Sequence, residues 1–138
     1  MMVLVDTSVW SLALRRGTPR DSAELRELGE LLKEGRVVMM GPIRQELLSG
    51  VRGEAQFTRL QSRLRAFEDL VLDAADYEEA ARAFNRCRAA GVQGGGVDFL
   101  IYAVCHRRKL AVFSTDGDFR SYNRVLGLNL HEVRPELR

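Results

Sequence analysis

Short apolar runs alternate with helical stretches along this sequence, and that alternation constrains the fold more than any other feature. Residues 2–5 and 37–40 are continuous apolar runs, residues 111–114 form a third, and residues 70–72 form a shorter one. Continuous apolar runs are typical of parallel strands that are covered on both faces. Because the segments between them have helical periodicity, we predict an α/β fold with helices on both faces of a parallel sheet.

Local signals place several element boundaries. Asp21 followed by Glu24 resembles a capping box and predicts the start of a helix. Pro42 predicts the first turn of the next helix, where proline is best tolerated. Asp98 stands at the head of the most apolar helix, and residues 128–133 are predicted to form a last edge strand.

Composition narrows the class of protein. The chain has 138 residues, of which 46% are hydrophobic, and this excludes wholesale disorder. Two isolated cysteines are too few for a disulfide scaffold or a four-ligand zinc site. The longest apolar run, residues 99–105, is far shorter than the roughly 20 residues of a membrane helix, and the start lacks the basic leader of a signal peptide. We predict one soluble cytoplasmic domain over residues 1–138, with no membrane contact.

The cationic residues are almost all arginine. The formal net charge is +2, from 21 Lys and Arg against 19 Asp and Glu, and only two of the 21 are lysine. The planar guanidinium suits phosphate, which makes an anionic partner plausible. Codon or genome bias together with solvated helix faces is the preferred explanation for most of these arginines.

Five acids stand where the predicted fold would bring them together. Asp6 ends the first strand and Asp116 follows the fourth, and ligands of parallel sheets bind beyond these carboxyl ends. Glu46 flanks the apolar stripe of its helix, Asp98 begins another helix, and Asp118 lies two residues beyond Asp116. Either strand-end aspartate alone is also explained as an ordinary helix cap, as is Asp118.

Such a cluster has an electrostatic consequence. Two carboxylates about 4 Å apart repel by roughly 4 kcal/mol at an effective dielectric constant near 20. Several of them at one place need either protons or a cation, and a set of oxygen ligands without His or Cys favours Mg²⁺ or Mn²⁺ over zinc. The chemistry that such an ion supports is phosphodiester hydrolysis.

Four motifs follow one another in order along nearly the whole chain. They are Val5-Asp6-Thr7-Ser8-Val9-Trp10, then Pro42-Ile43 with Glu46-Leu47 and Gly50, then Asp98 heading its apolar helix, and finally Ser114-Thr115-Asp116-Gly117-Asp118-Phe119. Together they resemble the motifs of PIN-domain ribonucleases, specifically the VapC-type toxins of VapBC toxin–antitoxin pairs.

This resemblance implies a three-layer α/β/α sandwich with a mostly parallel sheet of strand order 3-2-1-4-5. It also implies Mg²⁺- or Mn²⁺-dependent endoribonuclease activity on RNA, a cognate VapB-like antitoxin and a homodimer. By position, the catalytic acids are Asp6, Glu46, Asp98 and Asp116, and the metal ligands are Asp6, Asp98, Asp116 and Asp118. Ser114 and Thr7 match hydroxyls that support the pocket.

Other functions fit less well. A response-regulator receiver needs an acidic pair where this chain has Asp6 alone, and a haloacid-dehalogenase-type phosphatase needs Asp-x-Asp there. A PIN-like RNA- or partner-binding domain with a structural metal and no nuclease activity stays open. Arg44 and Arg15 are candidate contacts to the RNA backbone, with a solvated helix face as the alternative.

Overall fold

The computed structural model describes residues 1–14 and 22–135. Within these ranges strands and helices alternate as predicted. The elements are β1 (Val3–Val5), α1 (Thr7–Leu14), α2 (Ala23–Lys33), β2 (Val37–Met40), α3 (Gly41–Leu48), α4 (Glu54–Leu64), β3 (Asp69–Leu70), α5 (Ala74–Ala89), α6 (Gly96–Arg108), β4 (Ala111–Phe113) and α7 (Asp118–Leu126). The predicted α/β class is confirmed.

The four strands form one parallel sheet in the order β3-β2-β1-β4. Val3 lies opposite both Val37 and Ala111, so β1 is a central strand. The predicted order 3-2-1-4-5 is confirmed for these four strands. The prediction of a fifth strand over residues 128–133 is wrong in its extent. That segment makes one parallel bridge to β4, between Leu130 and Val112.

Side chains on the C-terminal segment explain why that pairing stops. His131 donates its backbone N–H to Val112 O at 2.7 Å, but its ring nitrogen contacts the buried Glu27 carboxylate of α2. Arg134 binds the same carboxylate through Nε at 3.0 Å. These contacts direct the chain toward α2 instead of along β4.

Helices cover the sheet in two groups. The chain moves from β1 to β2 and β3 in one direction and then crosses to β4 on the other side of β1. Since crossovers between parallel strands are right-handed, these opposite directions place the connecting helices on opposite faces. α1 packs on α2 and α3, and α3 on α4, whereas α5 packs on α6 and α7. This is the three-layer arrangement.

The core lies between these layers. Val3, Leu4 and Val5 are fully buried, as expected of a strand covered on both faces. Trp10 packs edge-on against Phe67, with ring centroids 5.3 Å apart, and is a core anchor. Both cysteines are free and buried, in agreement with their positions on apolar helical faces.

Side-chain hydrogen bonds define the start of α2 and the end of β3. The Ser22 Oγ accepts from Leu25 N at 3.1 Å and caps α2, whereas the predicted cap, Asp21, lies outside the described residues. β3 ends at Leu70 and does not include Val71, which is exposed. The Val71 carbonyl instead accepts from the Arg108 guanidinium at 2.8 Å.

No helix within residues 1–14 and 22–135 has the length and apolar content to cross a membrane.

Candidate metal centre

The pairing of β1 with β4 places Asp6 beside Ser114. The Asp6 backbone N–H donates to Phe113 O at 2.8 Å, which continues the parallel ladder by one residue. The Asp6 carboxylate is buried, and its Oδ2 accepts hydrogen bonds of 2.8 Å from both Ser8 Oγ and Ser114 Oγ. Buried carboxylates need such partners, so the two hydroxyls stabilise Asp6 and fix its orientation.

The same two hydroxyls organise the loop that follows β4. Ser8 Oγ accepts from the backbone N–H of Thr115, and Ser114 Oγ accepts from that of Asp116, each at 3.0 Å. Asp116 Oδ1 then accepts from the Asp118 backbone N–H at 2.9 Å. Hydrogen bonds therefore connect the Asp6 carboxylate to the backbone of Asp116, and the Asp116 carboxylate to the backbone of Asp118.

Asp98 reaches the same region from the first turn of α6. Its Oδ2 accepts a hydrogen bond of 2.7 Å from the hydroxyl of Tyr122 on α7. Burial raises the pKa of Asp98 above its usual range, the Tyr122 hydrogen bond opposes that rise, and the charges of Asp6, Asp116 and Asp118 add to it. The acids therefore act on one another electrostatically.

Three carboxylates meet closely enough to bind one ion. One oxygen from each of Asp98, Asp116 and Asp118 lies within 4.8 Å of the other two. The donor set consists only of carboxylate oxygens, which suits a hard divalent cation such as Mg²⁺ or Mn²⁺. Asp6 is not part of this close group, but its charge acts on Asp98.

Glu46 stands at the exposed edge of this region, on α3. Its Oε1 accepts a hydrogen bond of 2.9 Å from Thr7 Oγ1. Thr7 was predicted to support the pocket beside Asp6; its hydroxyl binds Glu46, and Ser8 is the residue of α1 that binds Asp6. Successive helical residues point about 100° apart, so at the start of α1 Thr7 turns toward α3 and Ser8 toward Ser114.

The two arginines predicted to contact RNA have different outcomes. Arg44 donates to Asp69 through Nε at 3.0 Å and to the carbonyls of Leu64 and Phe67. These bonds tie α3 to the connection between α4 and β3, so the contacts of Arg44 are structural. Arg15 lies outside the described residues.

Sequence reasoning missed Ser8 and Tyr122. Ser8 carried no signal that separated it from its hydroxyl neighbour Thr7. Tyr122 did carry a signal in the sequence. It occupies the buried face of α7, and a buried tyrosine hydroxyl usually needs a hydrogen-bond partner.

Comparison with known proteins decides the family. The PIN domain family model matches residues 3–125. The chain belongs to the PIN domain family. Relatives of this PIN domain include VapC ribonuclease Mb1587 of Mycobacterium bovis and Ribonuclease VapC11 of Mycobacterium tuberculosis. Each is 32% identical over 136 residues, covering 96% of this chain and 100% of the relative.

Solved structures have the same PIN fold. VapBC2 from Rickettsia felis, bound to a DNA fragment from its promoter, matches with a TM-score of 0.76 at 16% identity, over 95% of this chain and 98% of that one. FitAcB from Neisseria gonorrhoeae matches with a TM-score of 0.73 at 22% identity, over 88% and 94% respectively. At these identities the likeness supports the fold alone.

Proposed function

We propose that this PIN domain is a metal-dependent endoribonuclease that hydrolyses RNA phosphodiester bonds, and that it is the toxin of a toxin–antitoxin pair. The observation that carries this proposal is the convergence of Asp98, Asp116 and Asp118, whose oxygens lie within 4.8 Å of one another. The relatives named VapC ribonuclease, which match over their whole length, support the same assignment.

In this proposal Asp98, Asp116 and Asp118 would hold Mg²⁺ or Mn²⁺, with Asp6 contributing its charge beside them. Such an ion, when bound, lowers the pKa of a coordinated water and stabilises charge on a phosphate. The chain itself sets the geometry. Ser8 and Ser114 hold Asp6, and Tyr122 holds Asp98, so these carboxylates are oriented before any ion arrives.

Glu46 has a different part in the proposed reaction. The Thr7 hydroxyl binds Oε1 and fixes the side chain at the exposed edge of the site. Oε2 then accepts the proton that the attacking water loses. An exposed carboxylate exchanges that proton with solvent quickly, which suits a base that must be regenerated in each turnover.

The proposed partners follow from the same assignment. Structures similar to this one include the VapBC complexes of Rickettsia felis and Salmonella typhimurium, both bound to DNA. We propose a cognate VapB-like antitoxin, a homodimer, and action of the single domain in the cytoplasm. Co-purification from the native host tests the antitoxin: recovery of a small protein that silences cleavage is the expected result, and its absence contradicts the toxin assignment.

RNA cleavage by the purified protein tests the activity. Total RNA is incubated with Mg²⁺, with Mn²⁺ and with EDTA, and the variants Asp98→Asn and Asp116→Asn are compared with Glu78→Gln, which removes an exposed carboxylate of α5. We expect metal-dependent cleavage that falls by at least about 100-fold in the two site variants and stays unchanged in the control.

Cleavage that persists in both aspartate variants contradicts the proposed site. RNA binding without cleavage in any metal ion would instead show a PIN-like RNA-binding domain with a structural metal.

A further inference from the structure

A cleft of about 600 Å³ lies between α1, α3 and α4, next to Glu46. Ser11 and Leu14 of α1 form one wall and Leu60 of α4 lies on another. Glu46 also lines the cleft, and its carboxylate is bound to Thr7, the residue that follows Asp6. One end of the cleft therefore reaches the edge of the acidic site.

Three arginines line this cleft and have no partner in the described part of the chain. Arg52 precedes α4, and Arg59 and Arg63 lie within it; all three are exposed. None of them makes a hydrogen bond or ion pair with residues 1–14 or 22–135. This differs from Arg44 on the neighbouring helix, which is bound to Asp69 and to two backbone carbonyls.

The charge of the lining is strongly one-sided. Against three guanidinium groups the described lining has a single carboxylate, that of Glu46. Arg59 and Arg63 are four residues apart on α4, so their side chains leave neighbouring positions about 5–6 Å apart on one helix face. That spacing is close to the separation of consecutive phosphates along a nucleic acid strand, and each guanidinium fork matches phosphate oxygens.

We infer that this cleft binds the phosphate backbone of the RNA strand on one side of the bond that is cut. The inference rests on the proposed nuclease function and adds the substrate-binding surface. Arg59 and Arg63 bind consecutive phosphates, and Arg52 extends the contact beyond α4. No aromatic side chain is among the described residues that line the cleft, so it holds the strand by charge and does not stack bases.

The electrostatics of the site favour RNA over an acidic segment of a protein partner. Five carboxylates, those of Asp6, Glu46, Asp98, Asp116 and Asp118, repel a polyanion that approaches them. A substrate phosphate can be held there only if cations nearby offset this repulsion, and the guanidinium groups that line the cleft beside Glu46, unpaired within the described residues, can supply that charge. An acidic peptide that only inhibits does not have to bring a negative charge to these carboxylates, so it does not explain the cations beside them.

Equilibrium binding of RNA without cleavage tests the inference. The probe is a fluorescent oligouridylate of about 12 nucleotides in EDTA, measured by anisotropy from low to moderate salt. The test variant is Arg59→Gln with Arg63→Gln. The matched control is Arg82→Gln with Arg88→Gln, which removes two exposed arginines from α5, outside the cleft.

We expect the test variant to bind at least about tenfold more weakly and its salt slope to fall by about 1.4, since each phosphate contact to a single strand contributes about 0.7. The control should keep the affinity and slope of the wild type. Equal loss in both variants, an unchanged test variant, or no RNA binding by the wild type would overturn the inference. Retained RNA binding together with lost binding of an oligoglutamate peptide would assign the cleft to an acidic protein segment.

The result is separable from the proposed activity. Arginine-dependent binding without cleavage in Mg²⁺ or Mn²⁺ would contradict the nuclease and leave the binding surface. Metal-dependent cleavage that is unchanged in the arginine variant would support the nuclease and contradict the binding surface.

Discussion

Tyr122 on α7 donates a hydrogen bond of 2.7 Å to Asp98 at the start of α6, and this bond joins the core to the acidic site. The ring is fully buried, with its centroid 5.1 Å from that of Phe99 and 5.2 Å from that of Phe119. Because packing fixes the ring, the hydroxyl holds one carboxylate oxygen in place while the other stays available.

Replacing Tyr122 with Phe removes this hydrogen bond and keeps the packing. We expect the affinity for Mn²⁺ to fall by about tenfold, as is typical when a partner of a metal ligand is lost. The hydrogen bond lowers the pKa of Asp98, so its loss raises that pKa further, and Mn²⁺ binding should then require a higher pH. Calorimetric titration with Mn²⁺ across pH, with circular dichroism to monitor folding, measures both effects. An unchanged affinity and pH profile would remove Tyr122 from the site.

Gly94 makes room for the Tyr122 hydroxyl. A Cβ at Gly94 would collide with that hydroxyl and with the ring, whereas a Cβ at Gly95 would meet nothing within 4 Å. We expect Gly94→Ala to lower the free energy of unfolding by about 1–3 kcal/mol and to reduce cleavage, because the ring must shift. Gly95→Ala is the matched control and should behave as wild type in urea unfolding. Equal stability of the two variants would contradict the close contact.

Ser114 supports Asp6 and Asp116 at the same time, through its Oγ. Ser114→Ala leaves the buried Asp6 carboxylate with one hydroxyl partner fewer and the Asp116 backbone N–H without its acceptor. We expect a loss of about 1–3 kcal/mol of unfolding free energy, together with weaker Mn²⁺ binding. Ser114→Thr keeps the hydroxyl and should restore both properties. Unchanged stability and Mn²⁺ binding in Ser114→Ala would show that the hydroxyl has no such role.

Asp76 holds the α5 and α6 layer together and makes stability depend on pH. Its fully buried carboxylate binds Arg108 at 2.7 and 2.9 Å and Arg107 at 2.7 Å. These contacts, led by the Arg108 hydrogen bonds, hold the pKa of Asp76 well below its usual range. Asp76→Asn should lower the free energy of unfolding by about 3 kcal/mol near pH 7, because two guanidinium groups lose their buried partner.

The sign of the pH effect follows from that lowered pKa. The contribution of Asp76 is complete above its unfolded pKa of about 3.9 and is lost as pH falls toward the lower, folded value. The difference between wild type and Asp76→Asn in urea unfolding should therefore be constant from about pH 7 to pH 5 and narrow below about pH 4. A gap that widens in acid would be inconsistent with an ionised Asp76.

The elements of the fold were predictable because each carries a local signal. Apolar runs marked β1, β2 and β4, and the position of Pro42 marked the start of α3. The predictions that failed depended on contacts distant in sequence. Leu130 makes only one bridge because neighbouring side chains bind Glu27, and Val71 leaves β3 because Arg108 binds its carbonyl.

In the site, the positions of the acids were predictable, but their hydrogen-bond partners were not. Acids at strand and helix ends converge because topology brings those ends together, so Asp98, Asp116 and Asp118 were identifiable from the sequence. Which hydroxyl binds which carboxylate depends on helix phase: Ser8, which the sequence did not single out, binds Asp6, whereas Thr7 binds Glu46.

Calorimetric titration of the purified protein with Mn²⁺ tests the convergence of the acids most directly. The wild type, Asp116→Asn with Asp118→Asn, and the exposed control Glu78→Gln are compared at neutral pH. We predict that the wild type and the control bind Mn²⁺ with the same affinity and that the double variant loses at least about tenfold. Equal Mn²⁺ affinity in all three proteins would contradict a metal centre at these residues.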